Sequence, residues 1–272
     1  WISFPYFDID NNQLCPPYPD CISEEDVGYQ NTSECEEPSL CDEGYVWINY
    51  QPWCPWCWDG NNCFYQSDLD VLQILIDNSS ETINLDMDVD NSGVIEPLEL
   101  GEPLWVDGRI KKLGCYFYSN SWGWTSCELT GEIPSELGDL ENLTYLDLHS
   151  NQLTGEIPSE IGNLTNLTQL RLNSNELTGL IPSEIGDLTN LTYMSLGGNK
   201  FTGLIPSEIG NLTNLTDLLL NNNQLTGEIP VEICNQGDSS PSLYNNQLCS
   251  PYPDCGDGSI TSEEEQDTSE CI

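Results

Sequence analysis

Between residues 143 and 223 the apolar positions follow a two-residue alternation nested inside a 24-residue period. In Leu-Thr-Tyr-Leu-Asp-Leu-His-Ser-Asn, residues 143–151, the inward positions Leu146 and Leu148 alternate with outward Tyr145, Asp147 and His149. That alternation predicts a β-strand with one buried face. Copies follow at 167–175, 191–199 and 215–223, each closed by an asparagine in the same register: Asn151, Asn175, Asn199 and Asn223. An amide there is able to satisfy backbone groups as the chain turns inward. Between the strands the phrase Leu-Thr-Gly-Glu-Ile-Pro, or a close variant, recurs five times, ending at Pro134, Pro158, Pro182, Pro206 and Pro230. A constant period means one supersecondary unit that cannot bury its apolar side alone, so each copy stacks on its neighbours to build a continuous core.

These residues resemble the leucine-rich repeat family in its 24-residue form, L-x-x-L-x-L-x-x-N-x-L-T-G-x-I-P, known from plant receptors and some secreted microbial proteins. The resemblance covers roughly residues 109 to 255. It implies an α/β repeat fold: a right-handed solenoid with a parallel concave sheet, flanked by a disulfide-rich N-terminal region and caps. The expected organisation is an orphan end-cap segment at 1–35, a Cys/Trp-rich module at 36–66, an N-terminal cap at 67–128, the repeats at 129–233, and a C-terminal cap and tail at 234–272.

A second duplication lies outside the array. Asn11 to Cys21 reads Asn-Asn-Gln-Leu-Cys-Pro-Pro-Tyr-Pro-Asp-Cys, and residues 245–255 repeat it with one change. Residues 4 to 10 then align with a last repeat strand that no repeats precede. Such a strand is a template for pairing with another chain. Trp1, Phe4, Tyr6 and Phe7 would supply buried area at a joint between subunits, with Cys271 sealing it. Both copies hold two cysteines six apart, which predicts local bridges Cys15–Cys21 and Cys249–Cys255. Cys35–Cys41 and Cys115–Cys127 are expected as further pairs, with Cys234 or Cys271 left over.

Charge narrows the setting. Five Lys plus Arg against 46 Asp plus Glu give a formal charge of -41. Nucleic acid and anionic membranes are poor partners for such a surface. Self-repulsion of this size calls for salt or bound cations. Thirteen cysteines point to an oxidising compartment, hence an extracellular or cell-surface protein. With no signal peptide and no apolar run long enough to span a bilayer, the chain reads as mature and soluble.

The N-terminal cap carries the sharpest chemical motif. Asp88-Val-Asp90-Asn-Ser92-Gly93-Val94-Ile95-Glu96-Pro-Leu-Glu99 fits the twelve-position calcium loop: oxygen side chains at positions 1, 3 and 5, glycine at 6, a carbonyl at 7 and Glu at 12. Asp88, Asp90, Ser92, Glu96 and Glu99 with the Val94 carbonyl are the expected ligands of one Ca2+. Pro97 at position 10 and the segment 81–87, not clearly helical, depart from the pattern. Ahead of the loop, Ser67 with Asp70 suggests a helix start, and Leu69, Val71, Leu72, Leu75 and Ile76 form its apolar face. Cys54-Pro-Trp-Cys57 matches a redox form but lacks the surrounding strand and helix that it needs.

Catalysis has little material. His149, the sole histidine, falls on the concave strand face and reads as a surface contact and not as a triad base. Eight N-x-S/T sequons, at Asn31, Asn78, Asn142, Asn163, Asn166, Asn190, Asn211 and Asn214, are candidates for glycosylation. The concave positions, among them Tyr145, Asp147, His149, Arg171 and Tyr193, read as holding no aromatic cluster or single-sign patch. Two functions follow from the residues. One is an extracellular structural protein that assembles head-to-tail into a filament or surface layer. The alternative is a secreted recognition module that binds a protein or glycan on its concave face.

Overall fold

The computed structural model describes residues 41–48, 63–88, 93–119, 123–256 and 260–271. Contacts divide the chain into two compact units, Trp1–Glu43 and Gly44–Ile272, and the described residues fall almost wholly in the second.

The repeats form the expected solenoid. Strands β4 (Arg109–Gly114), β8 (Tyr145–Asp147), β10 (Gln169–Arg171), β11 (Tyr193–Ser195) and β13 (Asp217–Leu219) pair in parallel, with β3 (Leu104–Val106) antiparallel to β4 at one edge. The register equals the sequence period, since Tyr145 faces Gln169, Gln169 faces Tyr193, and Tyr193 faces Asp217. Each position of the repeat therefore builds its own column. Leu146, Leu170, Met194 and Leu218 are fully buried in one column, and Leu148, Leu172, Leu196 and Leu220 in the next. Short 3-10 turns such as Ser159–Asn163 and Ser183–Asp187 cross the far side and bury Ile161 and Ile185. The phrase glycines sit at positive φ, +75° at Gly155, a region that costs any residue with a Cβ.

The closing asparagines carry out the role expected of an amide at that position. Oδ1 of Asn175 accepts from the Leu153 N–H at 3.1 Å, and its Nδ2 donates to the carbonyls of Leu148 and Leu172 at 2.9 and 3.1 Å. The same three-way pattern recurs at Asn199, Asn223 and Asn246. Polar groups facing the core are thus satisfied rung by rung, as burial demands.

The helix ahead of the repeats, α1 (Gln66–Asn78), closes the open end of the core with Leu69, Val71, Leu72, Leu75 and Ile76. Its start differs from expectation. Tyr65 is the N-cap, with no side-chain capping bond, and Asp70 instead accepts from Gln66 Nε2 at 2.5 Å. Ser67 is displaced into the helix because the chain arrives from β2 (Cys63–Tyr65) and turns two residues earlier. Asp68, on the apolar side of the helix, is fully buried and takes Arg109 Nε at 2.9 Å, Arg109 Nη2 at 3.1 Å and the Ile110 N–H at 2.9 Å. Three donors compensate that buried carboxylate and tie the helix to the first sheet strand.

Cys115 joins Cys127 beneath the hairpin of β5 (Tyr116–Ser119) and β6 (Gly123–Ser126). At the other end the local scheme fails. Cys249 pairs with Cys271 and Cys234 with Cys255, at sequence separations of 22 and 21. In a stacked array, residues about one period apart lie one above the other, so these bridges stitch successive rungs where a local pair would only close a turn. Neither Cys234 nor Cys271 is left over. Cys41 is disulfide-bonded. Cys15, Cys21 and Cys35, with Trp1, Phe4, Tyr6, Phe7, Asn31, Cys54 and Cys57, lie outside the described residues.

Candidate functional site

The sheet presents its outward side chains in rows that run across the strands. One row is Lys112, Tyr145, Gln169, Tyr193 and Asp217; the next is Gly114, Asp147, Arg171, Ser195 and Leu219. Where the two rows meet on β8, β10 and β11, the structure gathers Tyr145, Asp147, His149, Arg171 and Tyr193 into one cluster. The expectation of a featureless concave face is corrected here: residues 24 and 48 apart in sequence become neighbours across the rungs.

Asp147 is the hub. It lies on the outward side of β8, yet its neighbours cover it to 1% exposure. Its Oδ2 accepts from the Tyr145 hydroxyl at 2.8 Å, and its Oδ1 lies 2.5 Å from His149 Nδ1 and accepts from the His149 N–H at 3.2 Å. Burial pushes the Asp147 carboxyl up. The bonds from His149 and Tyr145 more than offset this and hold it below the usual carboxylate range.

Arg171 spans the cluster. Its guanidinium lies 4.4 Å from the centre of the Tyr193 ring and 6.0 Å from that of Tyr145, while Nε approaches Asp147 Oδ2 no closer than 3.9 Å. Nη2 donates to Gln169 at 3.3 Å. Nε has no hydrogen-bond partner among the described residues. Lys112 is exposed beside them, its Nζ 6.0 Å from the Tyr145 ring. Tyrosine and arginine are the residues that anchor interfaces, and here both are half-buried and held in place by neighbours.

The calcium-loop residues are only partly described, with Asp90 and Ser92 outside. Gly93 takes a φ of +85° and donates to Asp88 Oδ2 at 2.7 Å, as a tight loop with Asp at its first position requires. Ile95 is buried and anchors the return, while Val94 is exposed at the neck. Pro97–Glu99 is a 3-10 turn in which Glu99 Oε2 accepts from the Glu96 N–H at 3.2 Å. No group of three or more His, Cys, Asp or Glu poised for a metal exists among the described residues.

The sequons divide by how their amides are used. Nδ2 of Asn166, Asn190 and Asn214 donates to the carbonyls of Glu141, Thr165 and Thr189, 25 residues back, at 2.7 to 2.8 Å. Asn142 Oδ1 accepts from Lys111 Nζ. Asn78, Asn163 and Asn211 are exposed. At the C-terminal cap, a cleft of about 420 Å³ is lined by Asn223, Asn246, Gln266 and Glu264 among others. Its Asn223 and Asn246 amides are already engaged by backbone.

With this geometry established, the family follows. A model of the leucine-rich repeat region matches residues 125–236. A chain in the BIR3–SERK2 complex from Arabidopsis thaliana is 33% identical, with a TM-score of 0.50, over 68% of this chain and 97% of its own length. The protein belongs to the leucine-rich repeat family. A chain in the structure of PEPR1–AtPEP1 is 28% identical with a TM-score of 0.59 over 70% of this chain, which spans only 26% of its length. A plant ice-binding protein is 33% identical with a TM-score of 0.52, over 68% of this chain and 57% of its own. No curated protein matches in sequence. Among the described residues, no helix is long and apolar enough to cross a membrane.

Proposed function

We propose that this chain is an extracellular recognition module of the 24-residue repeat type that binds a protein or peptide on its concave sheet. One observation carries the reading: Arg171 stacks on Tyr193 beside Tyr145 and Lys112, a half-exposed anchor cluster on an otherwise acidic molecule. Two of the similar structures, PEPR1–AtPEP1 and the BIR3–SERK2 complex, support the same reading. The three described disulfides fit an oxidising compartment.

The head-to-tail filament loses one support, because Cys271 is bonded to Cys249 within the chain and is not available to seal a joint. In the N-terminal cap, Asp88, Glu96 and Glu99 with the Val94 carbonyl would contribute to a structural calcium site, its role being to fix the loop that carries Ile95 into the core.

A benzophenone side chain placed at position 173, next to the cluster, tests the recognition reading against the same probe at position 160 on the far flank. On irradiation in the natural extracellular medium, a discrete adduct from 173 alone is expected. Adducts of equal yield from both positions, or from neither, overturn it.

A further inference from the structure

The distribution of positive charge says what kind of ligand the concave cluster suits. The chain has five Lys plus Arg. Arg109 is spent on buried Asp68, Lys111 donates to Asn142, and Lys200 pairs with Glu176 at 2.9 Å. Lys112 and Arg171 are the two whose side chains lie on the concave sheet, in adjacent rows beside Tyr145 and Tyr193, with Arg171 only 3.9 Å from Asp147. His149 adds a third nitrogenous group on the same side, and the next residue along the row from Tyr193 is Asp217. The result is a small aromatic window that carries two cations, with the Asp147 carboxylate beneath it and Asp217 at its edge.

Resting on the recognition reading above, we propose that this window seats an acidic stretch of a peptide, its side-chain carboxylates against Arg171 and Lys112 and its apolar atoms against the two tyrosine rings. The Arg171 guanidinium is oriented by stacking on Tyr193 and by its bond to Gln169, so little freedom is lost when a carboxylate meets its exposed edge. Asp147 pairs with Arg171 only at long range, 3.9 Å from Nε, while its oxygens accept from Tyr145 and His149, so the part-exposed guanidinium keeps N–H groups for a ligand carboxylate. The surrounding carboxylates supply selectivity by repulsion. On a chain of net charge -41 an acidic segment meets repulsion over much of its course, so it gains most where Arg171 and Lys112 stand together, and repulsion elsewhere favours that register. At physiological salt the screening length is about 8 Å, short enough that the local cations outweigh the distant acids.

The test uses the full chain and three short probes, acetyl-triglutamate amide, acetyl-triglutamine amide and a sulfated disaccharide, followed by side-chain NMR signals of Arg171, Tyr145 and Tyr193. Triglutamate is expected to move these signals saturably, and triglutamine not to. Arg171→Gln should weaken the triglutamate Kd at least tenfold and Lys112→Gln about threefold, with melting temperatures within a few degrees of the parent. Arg171→Lys, which keeps the charge and loses the fork, should fall between. Absence of a triglutamate response, or a response unchanged in both Gln variants, overturns the proposal. Tighter binding of the sulfated disaccharide overturns the peptide assignment. A position-173 adduct obtained while triglutamate fails would leave the recognition reading standing and remove only the acidic ligand.

Discussion

Asn199 reaches back across one rung to accept the Leu177 N–H at 3.1 Å, and in the same pose donates to the carbonyls of Leu172 and Leu196. One side chain thus satisfies three buried backbone groups drawn from three segments of the chain. Replacing it with alanine leaves the Leu177 N–H without a partner, at about 1–3 kcal/mol where no water enters, while the Leu172 and Leu196 carbonyls each keep a second amide donor, Asn175 and Asn223. Asn199→Ala should therefore destabilise the array by about 1–3 kcal/mol, read from chemical denaturation. A loss below about 1 kcal/mol would mean that water takes over the amide's bonds.

The Asp147 carboxyl gives a pH signature. Its folded value lies below the usual range, so it contributes stability that is fully present above the ordinary carboxylate pKa, about 4, and disappears as pH falls through the folded value. The melting temperatures of parent and Asp147→Asn should differ at pH 7 and converge as pH falls through the depressed folded value. A gap that stays constant with pH would place the effect in packing alone.

Disulfide mapping under non-reducing conditions should link Cys249 to Cys271 and Cys234 to Cys255. Since residues 11–21 repeat 245–255 and Thr32-Ser-Glu-Cys35 repeats Thr268-Ser-Glu-Cys271, the same logic makes Cys35 the expected partner of Cys15. A Cys15–Cys21 peptide would refute the transfer. Cys271→Ser, which opens a loop of 22 residues, should cost about 3 kcal/mol.

Calcium should raise the melting temperature of a chelator-treated sample. A site with a Kd near 10⁻⁴ M adds about 2.7 kcal/mol at roughly 10 mM calcium. Asp88→Asn with Glu99→Gln should abolish the rise. Equal stabilisation by calcium in parent and variant would assign it to screening of the acidic surface.

The repeat architecture was legible because a single period fixed both the alternation and the stacking: once Leu146 and Leu170 are inward, every other column follows. What the linear reading missed depends on contacts between rungs. Asp147 reads as an exposed strand residue, and only the fold brings Arg171 and Tyr145 over it. Aligning the copies at 24 residues would have placed 145, 147, 169, 171 and 193 together. The cysteines misled for a related reason. A spacing of six suggests a local loop, whereas the caps inherit the array's habit of bonding one period apart. Burial of Asp68 in the helix had no signal in its local pattern, because its partner Arg109 lies 41 residues on.

The column construction also sets how the molecule could change its length. The Arg171 window draws on three strands near the N-terminal cap, β8, β10 and β11, with Lys112 of β4 beside them, and the bridges at 234–255 and 249–271 stitch only the last rungs. Every seam between them repeats the same asparagine bonds and the same register. A whole 24-residue unit added between residues 201 and 224 would therefore meet matching surfaces above and below, leaving the Tyr145, Arg171 and Tyr193 contacts and the stitched end unaltered. Array length is a quantity that evolution, or an engineer, is free to vary without redesigning either end.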